Sequence, residues 1–160
     1  MPKVYLETSF FSACVSTRTT PKSAGWRASS LEWWQRERTF FDLFISTEVV
    51  RELAAPEYPN AANAIAMLEG LAILQPDKDV IEVAAALVDQ KVMPGPAIAG
   101  DALHVAFAMV NRIEYMLTWN VKHLANPGKR THLATFCLRL GLPVPQLVTT
   151  DLLKGSVGNE

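Results

Sequence analysis

Val4-Tyr5-Leu6-Glu7-Thr8-Ser9 is the stretch whose reading decides the fold. Apolar Val4 and Leu6 flank Tyr5, so Lys3 to Leu6 reads as a short strand, and Thr8-Ser9 turns out of it. Glu7 then stands just past a strand end, where a carboxylate can face solvent beside a turn. Three later segments also carry an acid or amide able to hold a divalent metal: Glu52 in Val49-Val50-Arg51-Glu52-Leu53, Asp101 in Gly100-Asp101-Ala102-Leu103-His104, and Asn120 in Leu117-Thr118-Trp119-Asn120. Each alone is unremarkable; their order along the chain is the signal.

Further strands are expected over Leu43 to Ile45, Leu71 to Leu74, Tyr115 to Thr118 and Gln146 to Thr149. The segment up to about Ser30 is rich in Ser, Thr, Lys and Arg, with Pro21 and Gly25 as breakers, and Ser30 is read as the cap of a helix running to about Thr39. Ser46 or Thr47 caps a helix through Leu53 that stops before Pro56. Helices are also expected over Ala61 to Gly70, over Asp79 to Val92, around Asp101 to Asn111, and over Leu133 to Leu140 with Gly141 as cap. Such alternation calls for an α/β chain: three layers, α/β/α, around a central, mostly parallel five-stranded sheet. Ligands of such sheets sit beyond the carboxyl ends of the strands near a topological switch point. Glu7 and Asn120 follow strands and fall at that rim. Spacing does not bring Glu52 and Asp101, on helices, to the same place.

At 160 residues the chain suits one domain, taken as 1–153, with 154–160 as a flexible tail. No apolar run approaches the ~20 residues of a membrane span, and Lys3 is followed by no long apolar segment of the kind a secretory leader needs. Cys14 and Cys137 are too few for a disulfide framework or zinc cage and read as reduced thiols, for which the cytoplasm is the default compartment. The net charge of −1 argues against a generic polyanion binder. Its distribution says more: nine carboxylates against three basic residues from Glu48 to Asp101, then no acid at all from Tyr115 to Thr150. An acidic centre with basic flanks fits a metal pocket whose rim holds phosphates, and it equally fits ordinary solvated charge. No Walker loop or dinucleotide glycine pattern is present.

The ordered motifs resemble the PIN domain, a family of metal-dependent ribonucleases that includes the VapC-type toxins of toxin–antitoxin pairs. The resemblance rests on Tyr5-Leu6-Glu7-Thr8-Ser9, Glu52-Leu53, Asp101-Ala102-Leu103-His104 with Ala106 and Ala108, and Leu117-Thr118-Trp119, and it spans about Val4 to Leu152. It departs from the usual family pattern twice, with Glu7 and Asn120 standing where the family mostly has Asp. It implies a hydrolase that cleaves RNA phosphodiester bonds with Mg2+ or Mn2+, inhibited by a small antitoxin and assembled as a homodimer, with no membrane. The alternative on the same fold is a catalytically weakened RNA- or protein-binding module. A metal-dependent phosphatase would need a nucleophilic Asp after the first strand, which Glu7 fits poorly.

The catalytic set implied is Glu7, Glu52, Asp101 and Asn120. Glu7 and Asp101 are expected as direct or one-water metal ligands, and Glu52 as a further metal-site acid that positions or deprotonates water. Asn120 offers an oxygen but no charge, which implies one well-held metal and a weak second. Thr8, Ser9, Thr118 and His104 are expected around these groups, against the plainer reading of helix caps and a packed histidine. Lys122 and His123 are candidates for phosphate contact. Clustered carboxylates without metal should leave at least one with a raised pKa. Glu48, four residues before Glu52 on one helical face, competes with it but is explained by the helix dipole. Trp26, Trp33 and Trp34 read either as base-stacking platforms or as core and interface residues, and Leu31, Trp34, Phe40 and Phe41 as a possible exposed patch.

Overall fold

Strand β1 (Lys3–Leu6) runs through the middle of the sheet, as Val4, Tyr5 and Leu6 require: all three are fully buried, so both strand faces are covered. The computed structural model describes residues 1–155. Around β1 lie β2 (Asp42–Ser46), β3 (Ala72–Leu74), β4 (Tyr115–Leu117) and β5 (Gln146–Val148), in the order β3-β2-β1-β4-β5. Every pairing is parallel, so the expectation of a mostly parallel sheet is met in full.

The strands are joined by α1 (Thr8–Val15), α2 (Pro21–Arg36), a 3-10 turn (Arg38–Phe40), α3 (Thr47–Leu53), α4 (Ala61–Ala66), α5 (Lys78–Asp89), α6 (Asp101–Val110) and α7 (Pro127–Leu140). From β1 the chain steps outward through β2 to β3, then returns across the sheet to β4. Right-handed crossovers therefore put α1 to α4 on one face and α5 to α7 on the other. The contacts agree, since α1 packs on α2, α3 and α4, and α5 on α6. The reversal leaves the ends of β1 and β4 side by side. Leu6 pairs with Leu117, and the Glu7 amide donates to the Leu117 carbonyl (3.1 Å). Helix α6 is buried on every side from Ala102 to Met109, which explains a sequence with no polar face.

Several boundaries differ from the sequence reading, each for a local reason. Pro21 and Gly25 do not break the chain. Pro21 opens α2 behind the Thr20 cap, where a missing N–H costs nothing, and Gly25 sits on the exposed face. Ser30 is no cap but a buried residue inside α2, accepting the Trp119 indole N–H (2.7 Å). That polar residue interrupts the apolar stripe and hides the helix. Helix α7 starts six residues before Leu133, at Pro127, because Asn126 caps it while its first turns bury nothing. The cap of α5 is Asp77, not Asp79, and α4 ends at Ala66, with turns leading to Gly70 at φ 82°.

Trp33 is fully buried, stacks on Phe41 (5.7 Å, 17°) and donates to the Leu153 carbonyl (2.8 Å). Phe41 is buried, and Leu31, Trp34 and Phe40 pack half-buried against the core, so these residues do not form the exposed patch. The expected flexible tail is packed at its start: a Cβ on Gly155 would fall 2.5 Å from Phe40 Cβ. Its residues 156–160 lie outside the described ones.

Ser46 joins fold and site. Its buried Oγ caps α3 by accepting from the amides of Glu48 (3.2 Å) and Val49 (3.4 Å) and pairs with the Tyr5 hydroxyl (2.7 Å). Ser46→Ala should lower unfolding stability by about 1–2 kcal/mol in urea titration. An unchanged midpoint would remove Ser46 from that role.

Candidate metal centre

The strand register decides which side chains meet. Because β1 and β4 end together, Glu7 and Thr118 become neighbours at the C-terminal rim of the sheet. Glu7 is buried and caps α1, accepting from the Ser9 amide (3.2 Å). Its Oε1 also accepts the hydroxyls of Ser9 (2.5 Å) and Thr118 (2.6 Å). Ser9 Oγ in turn accepts the Trp119 amide (2.8 Å), and Thr118 Oγ1 the Asn120 amide (3.0 Å), which ties the turn after β4 to the end of β1.

Helix α3 brings Glu52 to the same rim, where its Oε1 accepts the Thr8 hydroxyl (2.7 Å) and meets His104 Nε2 (2.5 Å). His104 Nδ1 lies 2.6 Å from the Tyr5 hydroxyl, which also reaches Ser46. Glu48, by contrast, takes its hydrogen bonds from outside the cluster. It is held by the Arg51 guanidinium (2.6 and 2.8 Å) and receives the Gly100 amide (2.5 Å), so it fastens α3 to the turn before α6. From the first turn of α6, Asp101 Oδ1 accepts Asn120 Nδ2 (3.3 Å). Asn120 Oδ1 is engaged in its own turn by the His123 amide (3.2 Å).

Ligand atoms of Glu7, Glu52 and His104 all lie within 4.8 Å of one another. Both ring nitrogens of His104 already have partners, so the ring is placed to hold Glu52 rather than to offer a free lone pair. Among the described residues, no Lys or Arg forms an ion pair with Glu7, Glu52 or Asp101. Carboxylates gathered without such partners are a donor set suited to a hard divalent cation.

Electrostatics bind these groups together. Burial pushes the Asp101 carboxyl up, Glu7's charge pushes it further, and the nearby histidines only partly offset this. Burial would lower His104, but the bond to Glu52 and the charges of Glu7, Glu52 and Glu48 outweigh it, leaving the ring above the ordinary histidine value. Burial would raise Glu52; the bond and charge of His104, then Thr8 and Arg51, bring it below the usual carboxylate value. Tyr5 is held well above its usual value, chiefly by burial, so it stays a neutral phenol. With the ring protonated, Nδ1–H donates to Tyr5 Oη, which donates to Ser46, and Nε2–H donates to Glu52.

Thus Glu7, Glu52, Thr8, Ser9, Thr118 and His104 converge, with Asp101 and Asn120 linked to each other at one edge. Lys122 and His123 are exposed on the turn past Asn120, outside the carboxylate cluster. His123 also lines a shallow cavity of about 310 Å3 with Lys91 and Lys129. Tyr5 was missed as a site residue because, inside a strand, its pattern is that of any core aromatic.

In metal-free protein the pair sets a pH window. His104's raised pKa gives stability that is full below about 6.5 and is lost as pH rises through the folded value. Glu52's lowered pKa gives stability present above about 4.3 and lost as pH falls through the folded value. With EDTA, the melting temperature should therefore decline from pH 6 toward pH 9, and His104→Gln should flatten that decline. A wild-type melting temperature that does not fall over this range would refute the ion pair.

No protein-family model and no curated protein sequence matches the chain. Solved structures do. A toxin–antitoxin complex from Klebsiella pneumoniae is 21% identical, aligning 79% of this chain with 93% of that one at a TM-score of 0.54. VapC20 of Mycobacterium tuberculosis, a sarcin–ricin loop cleaving toxin, is 16% identical over 74% of this chain and 91% of its own, at 0.56. VapBC2 of Rickettsia felis, bound to a fragment of promoter DNA, is 15% identical over 92% and 98%, at 0.53. With its all-parallel sheet and rim of acids, the chain has the three-layer PIN fold of the VapC toxin structures.

Proposed function

We propose that the chain is a metal-dependent endoribonuclease, the toxin of a toxin–antitoxin pair. The observation that carries this reading is the gathering, at the switch point of the sheet, of Glu7 and Glu52 with Asp101 at their edge, none of them in an ion pair with Lys or Arg among the described residues. Glu7 and Asp101 would hold Mg2+ or Mn2+, with Glu52 beside them. Such an ion, when bound, lowers the pKa of water and neutralises charge on a scissile phosphate.

The chain's own groups do the positioning. Ser9 and Thr118 fix Glu7, so this carboxylate needs no reorganisation before binding a cation. Thr8 and His104 fix Glu52 through Oε1, leaving its second oxygen to accept a hydrogen bond from the attacking water. Asn120 orients Asp101 through its amide nitrogen while its oxygen is spent on the turn, which supports one well-held metal and a weak second. The basic cavity of Lys91, His123 and Lys129, with Lys122 nearby, suits the RNA backbone. Acids without basic partners also suit a basic side chain projected by an antitoxin. The toxin–antitoxin complexes of this fold support that partner, and the sarcin–ricin cleavage named for VapC20 supports an RNA substrate. No helix of the described residues is long and apolar enough to cross a membrane.

Purified chain should cleave structured RNA with Mg2+ or Mn2+ and not with EDTA. Glu7→Gln and Asp101→Asn should abolish cleavage, and Glu52→Gln should slow it by roughly 10²- to 10⁴-fold. No cleavage by folded protein across several RNAs would leave the weakened binding module, with Asn120→Asp as the variant that restores activity. Manganese at about 100 times its dissociation constant should stabilise the fold by ~2.7 kcal/mol. Asp101→Asn should lose that gain while melting no lower than wild type in EDTA, because it removes a buried carboxyl with a raised pKa. An unchanged melting temperature with millimolar manganese would count against the metal site.

A further inference from the structure

Glu48 and Arg51 form a pair on α3 that the metal centre leaves unused, and the pair is built unevenly. The Glu48 side chain is 2% exposed and that of Arg51 60%. Nε and Nη2 of the guanidinium donate to the two carboxylate oxygens (2.6 and 2.8 Å), a bidentate match. Glu48 Oε2 also receives the Gly100 amide (2.5 Å), from a residue whose backbone (φ 73°, ψ −145°) suits glycine. To fasten α3 to that turn, a neutral glutamine oxygen would serve at a smaller cost of burial. The carboxylate adds what glutamine lacks: a second charged oxygen, which fixes an arginine.

Two of the five N–H donors of Arg51 are used in this way, and the other three, both of Nη1 among them, make no hydrogen bond among the described residues. A guanidinium already held by a carboxylate loses little further freedom when it takes a ligand. Arg51 precedes Glu52 in the chain and feels its charge, yet it makes no ion pair with Glu7, Glu52 or Asp101. Through Glu48 it is tied to Gly100, the residue before Asp101. A permanent cation is thus kept at the edge of the metal centre without cancelling the acids there. Its free N–H bonds and planar shape match phosphate oxygens. Standing outside ion-pair reach of the three acids, it fits the neighbouring phosphate of a strand better than one held at the metal.

We propose that Arg51, clamped by the buried Glu48, is an RNA-binding residue that contacts the phosphate next to the scissile one. The assignment rests on the ribonuclease reading and adds to it a residue that sets how the strand lies across the acids. Such a contact positions the backbone without reading sequence.

The test compares wild type with Arg51→Gln, Glu48→Gln and the double variant, which leaves no buried carboxylate unpaired. Binding of a fluorescein-labelled short single-stranded RNA in calcium is followed across salt concentrations, with steady-state cleavage in magnesium and the manganese-induced thermal shift alongside. Arg51→Gln and the double variant should bind about tenfold more weakly and flatten the slope of log K against log salt by about 0.7, the share of one phosphate. Their KM should rise by about the same factor while kcat stays within about twofold, since the contact is the same before and during cleavage. Glu48→Gln keeps the cation but releases it, so affinity should fall about threefold with the slope retained. Unchanged slope and affinity in the double variant, with wild type binding and cleaving RNA, would overturn the assignment, reduce Arg51 to a counter-ion for Glu48 and leave the nuclease standing. A fall in kcat in place of affinity would also overturn it, moving the guanidinium to the scissile phosphate. Wild type that shows the manganese shift but neither binds nor cleaves RNA would overturn both readings.

Discussion

The bond from the Glu7 amide to the Leu117 carbonyl is the last rung of the β1–β4 ladder, and the site depends on it. It exists because the chain reverses direction across the sheet between β3 and β4. That reversal makes the end of β1 adjacent to the end of β4, so a glutamate and a threonine 111 residues apart can share a hydrogen bond. A parallel sheet has its loops of one kind on one edge, and the switch point is where two such loops diverge and leave a crevice. Every other feature of the rim follows. Ser9 and Trp119 close one wall, α3 supplies Glu52, and α6 supplies Asp101 and His104 on either side of one turn.

Such a cluster works against the fold that holds it. Glu7 raises the Asp101 pKa, and Glu52 adds to the same repulsion. The chain answers mostly with neutral donors: Ser9 and Thr118 on Glu7, Thr8 on Glu52, Asn120 on Asp101. The positive charge hydrogen-bonded to the cluster is that of His104, which is buried with Tyr5 and Ser46 behind it, while Arg51 and His123 act from further off. Neutral donors orient a carboxylate without cancelling its charge, whereas a lysine or arginine would cancel it and compete with a cation. The remaining repulsion is opposed by apolar burial, most visibly in α6, whose small residues Ala102, Ala106 and Ala108 are fully buried.

The sequence carried the architecture well, because β1, β2 and α6 have patterns that admit one reading. Val4 to Leu6 is apolar throughout on a strand buried on both faces, and of the two candidate caps Ser46 and Thr47 it is Ser46 that caps α3. Helix α2 was not legible: its stripe is broken by Ser30, whose partner Trp119 lies 89 residues on, and no local pattern announces such a bond. The first half of α7 is polar because it covers little, so periodicity is silent there while Asn126 and Pro127 mark the start. At the site, Glu7 and Asn120 could be placed at the rim from their strands. That Glu52 and Asp101 join them came from the resemblance alone, since it depends on where α3 and α6 pack. Of the Tyr5–His104–Glu52 chain, Glu52 and His104 were singled out through the resemblance, whereas Tyr5 had no sequence signal and read as an ordinary core aromatic.

Asn120 is best understood through charge. An aspartate there would put a fourth carboxylate against Asp101, where the amide nitrogen now stands at 3.3 Å. Two like charges about 4 Å apart at an effective dielectric near 20 repel by ~4 kcal/mol, a large part of a small domain's stability. The asparagine replaces that repulsion with a hydrogen bond and keeps its oxygen capping the turn through His123. The same exchange leaves one carboxylate fewer at the rim of the sheet. A site built this way keeps Asp101 aimed by a neutral donor, with no fourth charge to strain the fold.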